Sequence, residues 1–506
     1  MVTPALSVFI NMARDGQIAP LRRRIPADLE TPVSAYLKLA PLGAVCLLES
    51  VERGIQVGRY SFIGLAPRLD ISLDGSDVVQ RRVDEVTRTE VDPADPLAVL
   101  RNELERTGRL RAGNPAMSDV PGPLGAAVGY LAWDMVRYFE RLSLPTDGGL
   151  DLPDFRFVFP SGLVVFDHVK SEVEVVVLPP DGDPEAGYEK AHRQLEAAID
   201  ALRGPLPAEA AVPGPKPGTV LGEGPAGSRF ETTRERFEAN VERAREHIFA
   251  GDAFQIVLSQ RLCGQTAAAP FTVYRALRIL NPSPYLFFLD YGDFQLVGSS
   301  PESLVTLAGD RAGVVPIAGT RPRGADTVSD TALEAELLAS EKERAEHLML
   351  VDLGRNDLGR VCVPGTVRPD SFQQVERYSH VMHLVSRVSG QLAANHDRWD
   401  LLRAVFPAGT VSGAPKIRAM EIISELEGRR RGPYAGAVGY FAPDGDLDLA
   451  IAIRTLVMKQ GQWFAQAGAG IVADSDPAAE YDETLHKLGA LTRAITAAEE
   501  GLDPCS

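Results

Sequence analysis

Two acidic pairs in the carboxyl half of the chain have the types and spacing of a hard-metal site. Glu343 and Glu346 lie in Ser340-Glu-Lys-Glu-Arg-Ala-Glu-His347, and Glu480 and Glu483 in Ala479-Glu-Tyr-Asp-Glu-Thr-Leu-His-Lys487. Each pair is spaced i,i+3 in a helical pattern, so its two carboxylates share a face. Two such faces opposed would suit Mg2+, which keeps part of its water shell and accepts one or two carboxylates plus substrate oxygens. The plainer alternative is a pair of solvated faces matched by Lys342, Arg344 or Lys487.

Other residues suit an anionic substrate and proton transfer. Gly298-Ser-Ser-Pro-Glu302 sets a carboxylate just after a strand-ending turn, a place for a general acid. The segment Phe406 to Met420 packs glycines and prolines around Thr410 and Ser412 and runs into a helix. Its small residues, exposed N–H groups and helix N-terminus suit an anion, although a tight interhelix loop reads equally well. Ser412 and Lys416 are read as shaping that turn and capping the helix. Pro316-Ile-Ala-Gly-Thr320 opens a strand into a Gly-Thr turn, and Gly468-Ala-Gly470 lets backbone approach a ligand. Arg454, between Ile453 and Thr455, is either a buried ion-pair partner or a carboxylate clamp. His383 is a candidate proton shuttle, against the commoner role of a core or surface histidine.

The elements that must position these groups come from 506 residues, more than one ordinary core accommodates, so two large domains or an interleaved pair are expected. A net charge of −17 argues against nucleic acid or an anionic membrane as partner. An anionic substrate then needs local cations or a metal. Neither a signal pattern nor an apolar run of membrane-spanning length is present, and the expectation is a cytoplasmic protein. Cys46, Cys263, Cys362 and Cys505 are scattered and read as inert thiols rather than nucleophiles.

Short β-like runs dominate the chain to about residue 178, and a helix is expected over Pro184–Leu202. Residues 204–227 are Gly/Pro-rich, giving an amino-terminal domain 1–203, a linker or loop 204–227 and a second domain 228–506. In that domain helices are expected over Arg234–Ala250, Thr331–Leu350, Trp399–Val405, Ile417–Glu427 and Ala478–Ala498. Strands are expected at Ala253–Arg261, Tyr285–Asp290, Phe294–Gly298, Gly436–Phe441, Leu447–Val457 and Trp463–Ile471. The class is α+β with mainly antiparallel sheets. Ala127-Val-Gly-Tyr130 and Ala437-Val-Gly-Tyr440 echo one another, too briefly to establish a repeat.

Taken in order, several motifs resemble the chorismate-utilising enzymes and, within them, the large synthase subunits of anthranilate synthases. They are Gly251-Asp-Ala-Phe-Gln-Ile-Val-Leu-Ser-Gln-Arg261, Gly298 to Glu302, Pro316-Ile-Ala-Gly-Thr-Arg-Pro-Arg-Gly324, Leu350-Val-Asp-Leu-Gly-Arg-Asn-Asp-Leu-Gly-Arg360, the segment Phe406 to Met420, and Gly468-Ala-Gly-Ile-Val472. The resemblance covers nearly the whole chain and implies an interleaved two-domain fold, with large mainly antiparallel sheets flanked by helices. It implies Mg2+ on Glu346 and Glu483, with Glu343 and Glu480 assisting through water. Chorismate would be held by Gly319, Thr320, Thr410, Tyr434, Arg454, Gly468, Ala469, Gly470 and Lys487.

In the family reaction ammonia adds at ring C2 while the C4 hydroxyl leaves, and pyruvate is then lost to give anthranilate, the first committed step of tryptophan biosynthesis. Glu302 is the candidate acid for the departing hydroxyl and His383 for assisting proton removal during pyruvate loss. Gln255 stands where the water-adding branch has Lys, and Ala318 where aminodeoxychorismate synthases usually have Lys. Both favour direct addition of ammonia at C2. The rivals are an enzyme that stops at 2-amino-2-deoxyisochorismate, an aminodeoxychorismate synthase, and a non-catalytic tryptophan sensor.

Leu47-Leu-Glu-Ser50, Gly58-Arg-Tyr-Ser-Phe-Ile-Gly64 and Asn281-Pro-Ser-Pro-Tyr-Leu-Phe287 resemble the tryptophan-feedback segments of the same subunits. The resemblance implies an inhibitory L-tryptophan site made by Glu49, Ser50, Pro284, Tyr285 and Leu286, completed by Gly439 and Tyr440, with Glu49 and Ser50 meeting the ammonium. No glutaminase machinery is present, so a separate glutamine amidotransferase subunit (component II) in a hetero-oligomer is the expected ammonia source. Alone, the chain is expected to use ammonium salts.

Overall fold

The computed structural model describes residues 2–502 apart from residue 18 and residues 53–55, 112–119, 121, 209–224, 226 and 379–380. Most of the expected linker, together with Cys505, lies outside the described residues. Cys46, Cys263 and Cys362 are buried free thiols, as their apolar surroundings require.

Alternating and continuous apolar runs build one connected, antiparallel sheet system with two branches that diverge at strand Phe155–Asp167. One branch passes through Tyr60–Asp74, Ala44–Glu49, Tyr285–Asp290, Gln295–Ser300, Thr455–Lys459 and Gln462–Ile471 to Gln255–Gln265. The other passes through Ala127–Leu131, Ala437–Phe441, Leu447–Ile451, Ser303–Ala308 and Arg311–Val314 to Val381–Gln391. Each branch begins on amino-terminal strands and crosses once to carboxyl-terminal ones, where Ala44–Glu49 pairs with Tyr285–Asp290 and Ala127–Leu131 with Ala437–Phe441, so the two halves of the chain share one sheet. The echoed Ala-Val-Gly-Tyr stretches are antiparallel neighbours, with Gly129 opposite Gly439.

The apolar faces of the sheet are covered by helices in two main cores. Arg234–Phe249, Glu341–Gly359, Arg398–Val405 and Lys416–Glu427 bury Phe237, Val351, Leu402 and Met420 in one. Pro184–Arg203, Pro270–Leu280 and Pro477–Glu500 bury Leu195, Leu277 and Leu491 in the other. Each such side chain contributes about 1.5–3 kcal/mol when taken from water. The starts are locally encoded: Asp183, Thr233 and Asp476 each accept a hydrogen bond from a first-turn N–H.

Two expected elements divide. The helical pattern over 331–350 is two helices, Thr327–Ala339 and Glu341–Gly359, broken at Ser340, whose hydroxyl accepts from Glu343 N at 3.4 Å and starts the second. The run Leu447–Val457 is two strands, Leu447–Ile451 and Thr455–Lys459, separated at Arg454. Arg454 has φ +48, a backbone region that side chains with a Cβ rarely occupy.

Candidate active site

The chain crosses from one sheet branch to the other at two neighbouring links, and each link carries one reactive group. Glu302 lies between strands Gln295–Ser300 and Ser303–Ala308, and Arg454 between Leu447–Ile451 and Thr455–Lys459. The links are tied together: Ser299 N donates to Arg454 O at 3.1 Å, and Ile451 N to Glu302 O at 3.0 Å. Glu302 lines a small crevice with Thr410, and the Arg454 side chain lies close enough to act on it electrostatically.

Burial pushes the Glu302 carboxyl up to about 8, with Thr410, Lys487 and Arg454 pulling the other way. At neutral pH it is mostly protonated and can donate. Arg454 is largely enclosed, and burial lowers its proton affinity while Glu302 opposes the shift. Among the described residues its guanidinium makes no hydrogen bond or ion pair, unlike the buried Arg431 nearby. A guanidinium fork left unpaired in a crevice is a carboxylate receptor.

The Phe406–Met420 segment forms one wall, by a route that differs from the expected one. The N–H groups of Val411 and Ser412 donate within the segment, to Ala408 O and Gly409 O, so they are not free for an anion. Its glycines serve close packing: a Cβ on Gly409 would sit 1.7 Å from Leu353 Cδ2, and one on Gly413, at φ +136, 2.1 Å from Gln255 O. Ser412 Oγ donates to Ala408 O at 2.8 Å and shapes the turn, as expected. Lys416 does not cap its helix; its amine pairs with Asp357 at 2.8 Å and donates to Val405 O. What the segment offers the crevice is the Thr410 hydroxyl beside Glu302.

Both acidic pairs face the same region. Burial raises the Glu346 carboxyl above its ordinary range, and the neighbouring Glu343 and Glu483 raise it further. Glu480 is raised by burial too, against a hydrogen bond from Ser475 Oγ at 2.6 Å. The other carboxylates have cations: Glu343 is held by Arg321 at 3.0 Å and Glu483 by Lys487 at 2.7 Å. The pairing of Glu483 with Lys487 is the one the plainer alternative named. Among the described residues no group of three or more acidic, histidine or cysteine side chains is gathered tightly enough to enclose a metal ion. The donors present are the half-buried Glu346, which forms no ion pair among the described residues, its neighbours Glu343 and Glu483, and Glu480 beside Glu483.

The remaining candidates complete the crevice. His383 Nδ1 lies 3.2 Å from Gly319 O, which only accepts, so Nδ1 carries the proton and Nε2 is the basic nitrogen. Thr320 Oγ1 is 3.0 Å from the same Nδ1. Burial, with Arg454 nearby, lowers the imidazole to about 4, leaving it neutral. Gly319, at φ +70, brings the backbone against Glu343 and Leu337. Lys487 Nζ donates to Gly468 O at 2.8 Å, a Cβ on Gly468 would sit 2.7 Å from the Tyr434 hydroxyl, and one on Gly470 2.7 Å from Gln255 Nε2. Ala469 is fully buried between them. The structure therefore gathers the sequence-derived catalytic, substrate and acidic residues around one crevice.

On the far side of the Pro301–Ser303 link lies a separate cavity of about 500 Å3. Glu49, Ser50, Pro284, Tyr285, Leu286, Gly439 and Tyr440 all line it. Glu49 is not free to act as a bare charge: Arg278 donates to both its oxygens, at 2.9 and 3.0 Å, and the Tyr274 hydroxyl at 2.5 Å.

Sequence reasoning passed over Tyr274 and Arg278, whose i,i+4 spacing puts them on one helical face; Asp448, flanked by Leu447 and Leu449; and Arg431. Arg431 is buried against Glu427 at 2.6 Å, donates to Val411 O and Val257 O, and stacks on Trp133 with Tyr434 close by. It thereby joins the Thr410 segment, the Gln255 strand and Tyr434. The only local signal is the run Arg429-Arg-Arg431, which reads equally as a solvated patch.

Comparison with known proteins points the same way. A family model described as chorismate binding enzyme matches residues 52–493. Anthranilate synthase component 1 of Thermus thermophilus is 49% identical over 488 residues, spanning 96% of this chain and 100% of that relative. The protein of the same name from Pseudomonas aeruginosa is 45% identical over 502 residues, spanning 98% and 99%. Among solved structures, anthranilate synthase component I from Streptococcus pneumoniae superposes with a TM-score of 0.73 at 38% identity, covering 93% of this chain and 99% of its own. The menaquinone-specific isochorismate synthase from Escherichia coli gives a TM-score of 0.69 at 18% identity, covering 97% and 99%, and speaks for the fold alone.

Proposed function

This chain belongs to the chorismate-binding enzyme family, and on that premise we propose that it is the synthase component of an anthranilate synthase, converting chorismate and ammonia to anthranilate and pyruvate. The observation that carries this reading is the buried, neutral Glu302 facing the unpaired Arg454 across the sheet crossover.

Arg454 receives a carboxylate of the substrate, with Thr320, Thr410, Tyr434, Lys487 and the Gly468–Gly470 backbone bounding the ring. Ammonia needs no base to attack carbon, and the neutral Gln255, lying over Gly470, serves to orient it. As the C2–N bond forms, the ring double bonds shift and the C4–O bond breaks. Glu302 delivers its proton so that water, not hydroxide, departs, an assistance worth about a hundred- to ten-thousand-fold. His383, neutral and with Nε2 free, takes the C2 proton as the C3–O bond breaks, and the enolpyruvate released becomes pyruvate. Arg431 acts through others: it holds the Thr410 segment and the Gln255 strand in register.

The donor set suits Mg2+, since the Glu346 carboxyl is crowded by Glu343 and Glu483 and forms no ion pair of its own among the described residues. Glu346 and Glu483 would be its direct carboxylates, with Glu343 and Glu480 behind. When bound, the ion would draw charge from the ring carboxylate and orient the diene.

The cavity beyond Pro301 is assigned to inhibitory L-tryptophan. A glutamine amidotransferase subunit is assigned as the ammonia source in a hetero-oligomer, in keeping with the relatives being named component 1. Residues 228–506 supply the chemistry, while residues 1–203 add the Glu49–Ser50 wall of the tryptophan cavity. Among the described residues no helix is long and apolar enough to cross a membrane, and we place the enzyme in the cytoplasm.

The test is anthranilate fluorescence from purified chain, chorismate and Mg2+, with ammonium or with glutamine. Product is expected from ammonium alone; none from either overturns the reading. Gln255→Lys is expected to abolish anthranilate formation, and unchanged activity removes Gln255 from the mechanism.

A further inference from the structure

The cavity assigned to tryptophan contains an acceptor that neither the sequence motifs nor the comparisons single out. Asp448 lies on strand Leu447–Ile451, opposite Tyr440 of the adjoining strand and Thr306 on the other side. Asp448 is among the residues that line the cavity, and its Oδ1 is buried with no hydrogen-bond partner among the described residues. The Tyr285 hydroxyl engages the carboxyl, and burial holds the pKa of Asp448 up at about 6.

The other acids on the cavity wall are already matched. Glu49 has Arg278 and Tyr274, and Glu376 has Arg387 at 2.7 Å and the Tyr378 hydroxyl at 3.2 Å. A buried oxygen without a donor costs about 1–3 kcal/mol, and a ligand N–H that reaches it recovers that cost. The walls around Asp448 are the apolar and aromatic side chains Tyr285, Phe287, Val438, Tyr440 and Ala450, which fit a flat ring rather than a charged head group. A zwitterionic head group finds its counter-charges at the Glu49–Arg278 pair and hydrogen-bonding groups at Ser50.

Resting on the tryptophan reading of this cavity, we propose that Asp448 accepts a hydrogen bond from the ring N–H of the bound amino acid and so makes the site selective for an indole over rings of the same shape without a donor. Glu49 and Ser50 then hold the amino-acid end. The arrangement gives a cavity of about 500 Å3, roomy for one amino acid, a means to discriminate against phenylalanine-like ligands. A site built to pair a ligand donor discriminates against the isostere because its own buried acceptor stays unpaired.

Calorimetry of the full chain with L-tryptophan, 1-methyl-L-tryptophan and 3-(benzothiophen-3-yl)-L-alanine tests this. The unaltered chain is expected to bind tryptophan at least tenfold more tightly than either analogue. Asp448→Ala and the near-isosteric Asp448→Leu are expected to bind tryptophan and the benzothiophene analogue within about threefold of each other, with circular dichroism melting curves verifying that each variant is folded. Retention of the tenfold preference in both folded variants overturns the role of Asp448. Equal binding of tryptophan and the benzothiophene analogue by the unaltered chain overturns it as well. Absence of any tryptophan binding to the unaltered chain overturns the reading of the cavity itself, and the proposal with it.

Discussion

The crevice and the cavity share a wall, the link Pro301–Ser303, yet they treat charge in opposite ways. In the crevice neither Arg454 nor Glu346 forms an ion pair among the described residues, although Lys487 and Lys342 act on Glu346 from further off, and burial keeps Glu302 mostly protonated at neutral pH. In the cavity Glu49 and Glu376 each have an arginine and a tyrosine hydroxyl, and among its described acids the oxygen left without a donor is Asp448 Oδ1. Unpaired buried charge is costly and is retained where a ligand of opposite sign completes it. The proposed dianionic substrate with its cation matches the unpaired groups of the crevice, and the proposed amino acid matches a cavity whose acids are paired except at Asp448.

The comparison breaks most sharply at Glu302. Glu302→Gln keeps shape and burial but removes the proton, and kcat is expected to fall about a thousandfold. An acid must be protonated to act, so kcat of the unaltered enzyme is expected to decline as pH rises through about 8. The residual rate of the variant should show no such limb. A smaller effect is expected at Arg454. Arg454→Lys keeps the charge but loses the two-pronged fork, and KM for chorismate is expected to rise about 10- to 100-fold, the worth of one charged hydrogen bond. Steady-state kinetics at saturating ammonium would register it. At Glu346, substitution by Gln is expected to raise the Mg2+ concentration for half-maximal rate about tenfold, measured by metal titration. The smallest effect belongs to the cavity: Arg278→Met strips Glu49 of its cation and is expected to weaken tryptophan inhibition about three- to tenfold. That variant should leave KM for chorismate unchanged, since Arg278 lies away from the crevice groups.

Much of this arrangement is legible in the sequence where a local rule decides it. Helix starts at Asp183, Thr233 and Asp476 follow from side chains that cap their own first turns. The break at Ser340 was readable as well, because Ser-Glu-Lys-Glu is a capping sequence, but the apolar periodicity on either side disguises it. The kink at Arg454 was not readable: a non-glycine residue at φ +48 is imposed by the crossover between sheet branches, which is a property of the whole fold. Gly409 and Gly413 look like anion-binding glycines in sequence and prove to be close-packing glycines against Leu353 and Gln255.

Residues whose partners lie far along the chain were equally hidden. Arg278 meets Glu49 across 229 positions, and Arg431 meets Val257 across 174. Nothing local announces either pairing. Asp448 reads as an exposed polar residue in an alternating strand until Tyr285, on the other branch of the sheet, meets its carboxyl.

The most direct test of the central claim is a simultaneous count of products. Purified chain with chorismate, Mg2+ and ammonium is expected to release anthranilate, read by fluorescence, and pyruvate, read through a coupled dehydrogenase, in equal molar amounts. Both should be suppressed together by tryptophan. Consumption of chorismate without pyruvate, or a rate insensitive to Glu302→Gln, would contradict the account.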